Sequence, residues 1–210
     1  MLCVAVLGSG RGSNFRAILD AMGRHVLRNV EIRVVISNNS GAGILEIARS
    51  SGIPAIHLSQ KMFSDEGGFV DALLDTMKKH GVNFIALAGY MKQIHPRVVA
   101  AFRNRIVNIH PALLPKHGGK GMYGMAVHES VIRRGEKISG ATVHVVDEQF
   151  DHGEIVLQQE VPVGPDDTPE TLAARVLEVE HQIYPLALQM FADGKVTVKG
   201  ERVTVHSLVQ

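Results

Sequence analysis

Short apolar runs alternate with helix-period stripes through the first half of the chain, and that rhythm restricts the fold more than any other feature. Residues 2–8 (LCVAVLG) read as a buried strand and residues 8–14 as a tight turn. A helix follows, with Phe15, Ile18, Leu19 and Met22 spaced i, i+3, i+4 and i+7, and Gly23 stops it. EIRVVIS (31–37) is a second strand, and GILEIARSSG (43–52) is a helix with a glycine stop. Residues 67–81 give a helix with Phe69, Leu73 and Met77 on one stripe. Next come a buried strand (83–89), a short helix (96–102) and another strand (105–110). This β-α-β-α order predicts an α/β, Rossmann-like fold with a mainly parallel, twisted sheet.

The second half reads differently. GATVHVVDE (140–148) and EIVLQQEVPV (154–163) are strands with too few residues between them for a crossover helix, so antiparallel pairing is expected. A long helix follows, with Thr168 as N-cap, Pro169 at its first position and Leu172, Val176, Val179 and Ile183 as its buried stripe. Pro185 should kink it, and Gly194 should end it before a short final strand. The expectation is one domain over residues 1–210 with two lobes, about 1–100 and about 101–210, whose parallel sheet continues into antiparallel strands and a long C-terminal helix.

Charge narrows the partners. A formal net charge of +1 gives no electrostatic reason to expect nucleic acid or a membrane surface. No apolar stretch approaches the roughly 20 residues that cross a bilayer, and the run at residues 2–7 is too short for a signal-peptide core. The single cysteine, Cys3, suits a reducing compartment. A cytoplasmic enzyme or binding domain acting on small molecules is the expectation.

VLGSGRGSN (6–14) lies between a strand and a helix, where backbone N–H groups can hold an anion. A dinucleotide fingerprint would need glycine at Ser13, and an acid for the ribose where the chain reads Ser37, Asn38, Asn39. The loop therefore suits a single phosphate, or it is a tight turn that binds nothing. In RIVNIHPALLPKHGG (105–119), Asn108 and His110 stand on one face of a strand that Pro111 terminates. An amide and an imidazole at a strand end could serve an oxyanion and a proton transfer, or could be satisfied structural groups. HESVI (128–132) lacks the second His of a zinc-protease motif, and no metal site is expected. Glycines 118, 119, 121 and 124 read as a loop over a substrate or an ordinary surface loop.

NIHPALLPKHGG, followed about thirty residues on by GATVHVVDEQFDHG, resembles the formyltransferase family that uses 10-formyltetrahydrofolate. GRGSN (10–14) and EHQIYPLAL (180–188) are similar to the purine-biosynthesis branch of that family, which formylates the amine of glycinamide ribonucleotide. The resemblance implies that Asn108, His110 and Asp151 are the catalytic set. It implies that Gly12, Ser13 and Asn14 hold the substrate phosphate and that Glu180 contacts the ribose or glycinamide part. Met91, Lys92, Gln93 and Ile94 would line the folate pocket with Asp147, Glu148 and Asn108. The chain departs from the pattern at Glu66 and Lys92, where members often carry Arg. In the implied chemistry the amine attacks the formyl carbon directly. Asn108 and protonated His110 stabilise the tetrahedral oxyanion, Asp151 raises the imidazole's pKa, and no metal takes part. The competing readings are formyltetrahydrofolate hydrolase, whose members carry an N-terminal regulatory domain ahead of the strand on which this chain opens, and a non-catalytic nucleotide-binding module. A monomer or a homodimer is expected.

Overall fold

The computed structural model describes residues 1–199 and 202–206. The chain divides into two compact units, Met1–Val107 and Asn108–Gln210.

In the first unit, β1 (Leu2–Leu7), β2 (Val30–Ser37), β3 (Ala55–His57) and β4 (Phe84–Leu87) alternate with α1 (Ser13–Gly23), α2 (Gly43–Ser50), α3 (Glu66–Lys79) and α4 (Pro96–Ala101). The strand order is β3-β2-β1-β4, parallel throughout. β1 occupies the middle, and its residues Val4, Ala5, Val6 and Leu7 are fully buried, as a parallel strand covered on both faces should be. β3 was not anticipated, because three residues are too few to display alternation. The helix stripes shift slightly. Ala21 replaces Leu19 and Met22 at the bottom of α1, and Val70 joins Leu73 and Met77 while Phe69 is only half-buried. Phe69 instead meets Phe63 edge-on at 6.1 Å between ring centroids. α3 starts at Glu66 because the Asp65 side chain accepts the Gly68 N–H at 2.8 Å.

β5 (Ile106–His110) carries the chain into the second unit, where α5 (Met125–Arg133), β6 (Ile138–Val145), β7 (Ile155–Pro162), α6 (Pro169–Ala192), β8 (Val196–Lys199) and β9 (Arg202–Val205) follow. β6 and β7 pair antiparallel, as expected. α6 begins with a capping box in which Thr168 and Thr171 exchange side-chain and backbone bonds, and its stripe is buried. It runs on through Pro185 to Ala192. Two departures stand out. The loop read at glycines 118, 119, 121 and 124 ends at Met125, where α5 begins, because Gly124 supplies a backbone φ of 56° immediately before it. The expected single final strand is an antiparallel hairpin, β8–β9. No helix among the described residues is long and apolar enough to cross a membrane.

Candidate active site

β5 ends at His110 because Pro111 has no N–H to continue a ladder. Asn108 and His110 share a face, and both reach the same carboxylate. Asn108 Nδ2 donates to Asp151 Oδ1 at 3.4 Å, and His110 Nδ1 lies 3.6 Å from Asp151 Oδ2. Asp151 comes from the β6–β7 loop, where it takes a left-handed backbone φ of 51°. Its Oδ2 also accepts the Gly119 N–H at 3.0 Å. Two glycines make this approach possible. A Cβ on Gly118 would lie 2.6 Å from Leu114 Cδ2, and one on Gly153 would collide with the Val145 carbonyl oxygen.

A fourth side chain, His144, went unnoticed in the sequence. It sits in the buried stretch of β6, with Nε2 3.1 Å from Asn108 Nδ2 and 3.6 Å from Asp151 Oδ1. A histidine in the buried stretch of a strand, two residues beyond Thr142 and between two valines, was the available signal.

Carbonyl oxygens only accept, and that settles where the protons sit. His110 Nε2 is 2.9 Å from the His117 carbonyl, so Nε2 carries hydrogen in either charge state and Nδ1, facing Asp151, is the nitrogen that titrates. His144 Nδ1 donates to the Val145 carbonyl at 3.0 Å, which leaves Nε2 to accept from the Asn108 amide. Both Asn108 amide hydrogens are thereby engaged, the one toward Asp151 by the longer and weaker bond.

The expectation of a standing imidazolium is corrected here. Burial dominates at His110, which is 3% exposed, and pushes its pKa down. Asp151 and the His117 carbonyl push it up, the His144 and His117 rings push it down again, and the net result is below the ordinary 6.5. That direction favours the neutral ring at rest. Burial raises the Asp151 carboxyl, but the His144 and His110 rings, when they carry a proton toward it, and the Gly119 N–H outweigh it and hold the group below its usual range. His128, on α5, is pushed down to about 4 by burial and by the nearby His110. A cleft of about 450 Å³ opens beside Asp151, lined among others by Pro115, Gly119, Phe150 and Ile155. Asp147, in the same loop, accepts the Gln149 N–H at 2.7 Å and pairs with His152 at 2.7 Å, while Glu148 beside it is exposed. Glu180 is buried on α6.

In the first unit the glycine loop joins β1 to α1, with Gly12 as N-cap at φ 82° and no side chain capping the helix. Ser13 and Asn14 open the first turn. The glycines divide by role. A Cβ on Gly12 would lie 2.8 Å from the Ile44 backbone on α2, and one on Gly8 would lie 2.6 Å from Ile44 Cδ1 and 2.8 Å from the Ala88 carbonyl oxygen, so both are demanded by packing. Gly10 faces open space. Ser9 ties this loop to its neighbours, donating to Asn38 Oδ1 at 2.5 Å and accepting the Met91 N–H at 2.9 Å. The segment Met91, Lys92, Gln93 and Ile94 is thus anchored beside the glycine loop, with Ile94 buried and the other three exposed. Glu66 is exposed in the first turn of α3. Among the described residues, no group of three or more His, Cys, Asp or Glu is arranged to hold a metal ion.

The family model described as Formyl transferase matches residues 2–188. Phosphoribosylglycinamide formyltransferase, chloroplastic, of Vigna unguiculata is 42% identical over 200 residues, which cover 95% of this chain and 64% of that protein. Phosphoribosylglycinamide formyltransferase of Haemophilus influenzae is 40% identical over 196 residues, covering 93% of this chain and 90% of that one. The solved structure of glycinamide ribonucleotide transformylase 1 from Symbiobacterium toebii matches with a TM-score of 0.91 at 38% identity, over 99% of this chain and 95% of the other. The chain spans less than two thirds of the length of the two plant relatives it matches.

Proposed function

We propose that this chain, which belongs to the formyl transferase family, moves the formyl group of 10-formyltetrahydrofolate onto the amine of glycinamide ribonucleotide. The observation that carries the reading is the convergence of Asn108, His110 and His144 on the Asp151 carboxylate at the end of β5.

The amine lone pair attacks the formyl carbon, and the carbonyl oxygen becomes an oxyanion. Asn108 turns the N–H of its weaker bond from Asp151 to that oxygen. The attacking nitrogen is now cationic. His110 Nδ1, neutral at rest, takes its proton, and Asp151, 3.6 Å away, stabilises the imidazolium that forms. Collapse re-forms the C=O bond, breaks the bond to the folate nitrogen and returns the proton to that leaving nitrogen. His110 thus acts as a proton acceptor first and a donor second.

The loop and helix start at Gly12, Ser13 and Asn14 are assigned to the substrate phosphate, on the strength of an uncapped helix N-terminus. Glu180 is assigned to the ribose or glycinamide part. Met91, Lys92, Gln93 and Ile94 are assigned to the folate pocket with Asp147 and Glu148. The partners are these two small molecules, with no role for nucleic acid, membrane or metal; the setting is the cytoplasm, and the protein works as a monomer or homodimer. The test is to supply 10-formyltetrahydrofolate and follow folate release with and without glycinamide ribonucleotide. Release should require the amine. Equal rates in both arms would replace the transferase reading by a hydrolase.

A further inference from the structure

The carbonyl that accepts the His110 proton belongs to a residue held in an unusual way. His117 is not glycine, yet its backbone φ is 55°. An L-residue stays in that left-handed region only where its surroundings enforce it. At His117 the ring is itself held on two sides. The ring is buried, with Nδ1 3.0 Å from Ser130 Oγ on α5 and Nε2 3.5 Å from Glu136 Oε1. Glu136 is steadied in turn by Lys116 Nζ at 3.2 Å. Ser130 is 2% exposed and rides on a helix, so it is a fixed post.

We propose that Ser130 and Glu136 pin the His117 ring so that the His117 carbonyl stays aimed at His110 Nε2, which keeps the His110 lone pair on Nδ1. Serine, histidine and glutamate together suggest a nucleophile, a base and an acid, but a serine this buried is out of a substrate's reach, and it meets Nδ1 rather than a reacting carbon. The three are positioning residues. The charged and titratable groups facing the His117 ring are Glu136, Lys116 through Glu136, and His110. When a pin is lost, the 117 peptide is free to swing and the carbonyl leaves Nε2. Neutral His110 then shifts its hydrogen to Nδ1, where it faces Asp151, and the ring has no lone pair there for the attacking amine. The kinetic part of this inference rests on the formyl-transfer reading; the tautomer part does not.

Ring nitrogen resonances of His110 report the tautomer directly in 15N-labelled full-length protein. The wild type should show hydrogen on Nε2, and Ser130→Ala and Glu136→Gln should each shift the ring toward a mixture. kcat should fall roughly 10-fold or more in Ser130→Ala, the scale on which an orienting partner of a working side chain acts. KM for both substrates should stay put, and Ser130→Thr, which keeps the hydroxyl, should restore much of the rate. If Ser130→Ala does not fold, His117→Asn serves instead, because Asn tolerates the left-handed backbone but lacks the ring. A folded variant with a wild-type His110 spectrum overturns the proposal, whatever its activity. Altered spectra in variants of a protein that never releases folate would leave the positioning intact and remove the formyl-transfer reading alone.

Discussion

The loop after β1 and the cluster at the end of β5 are assembled from different materials. In the loop, what lies at the surface for the proposed phosphate is backbone, and glycine is present because Ile44 of α2, with the Ala88 carbonyl at position 8, leaves no room for a side chain at positions 8 and 12. In the cluster, what is offered is side chains, and the backbone's part is to supply acceptor-only carbonyls at residues 117 and 145 that fix which ring nitrogen carries hydrogen. A substitution at position 8 or 12 is thus felt first as packing, and one in the cluster first as proton chemistry. The two regions should separate cleanly when stability and rate are measured side by side.

Asp151→Asn tests the cluster hardest. Rate should fall roughly 10²–10⁴-fold, the range for a positioned proton-transfer group. The sign of the pH effect follows from the neutral resting ring. Asp151 raises the His110 pKa, so removing its charge lowers a value already below 6.5. The neutral base then persists to lower pH, and the acid limb of the kcat profile moves downward. NMR titration of His110 in both proteins checks this, and an identical pKa would remove the electrostatic role. Asn108→Ala comes next, with kcat lower by roughly 10²–10³-fold, little change in KM and a melting temperature near wild type. A folded variant with full kcat would strip Asn108 of its oxyanion role.

In the loop the order of effects should invert. Gly12→Val drives a side chain into Ile44 at a left-handed position, and should lower stability by about 1–3 kcal/mol in urea unfolding. Binding of both substrates should weaken as the turn distorts. Gly10→Ala is the finer probe. Position 10 faces open space, so stability should stay within about 0.5 kcal/mol of wild type. Calorimetry should show selective weakening of the phosphate-bearing amine if the backbone there holds the anion. Selective loss with Gly12→Val and none with Gly10→Ala would reverse the assignment of roles within the loop.

Much of the frame was legible because burial has a period. The parallel strands and the helices of the first unit showed themselves through stripes, and the Thr168–Pro169 start of α6 through capping chemistry. β3 escaped because three residues carry no period, and α5 because four nearby glycines outweighed its short stripe. Asn108 and His110 were legible as a same-face pair ahead of a proline. That Asp151 meets them followed from the resemblance and not from spacing, since forty residues of chain intervene. His144 was missed because one histidine in a strand gives no hint of its partner. The charge state of His110 was misjudged for a related reason. A pairing with Asp151 could be inferred from sequence, but the burial that outweighs it is a property of the packed fold.

The left-handed backbone at Asp151 bears on how the chain would respond to selection. A non-glycine residue there gives up about 1–2 kcal/mol relative to glycine. Asp151→Gly would relax that backbone, but it would also take the acceptor away from the Gly119 N–H and from one Asn108 amide hydrogen, a loss of about 1–3 kcal/mol that offsets the gain. The carboxylate that His110 and Asn108 both address thus also holds its own loop in place. Thermostabilised descendants of this chain should keep Asp151 whether or not they are made to work.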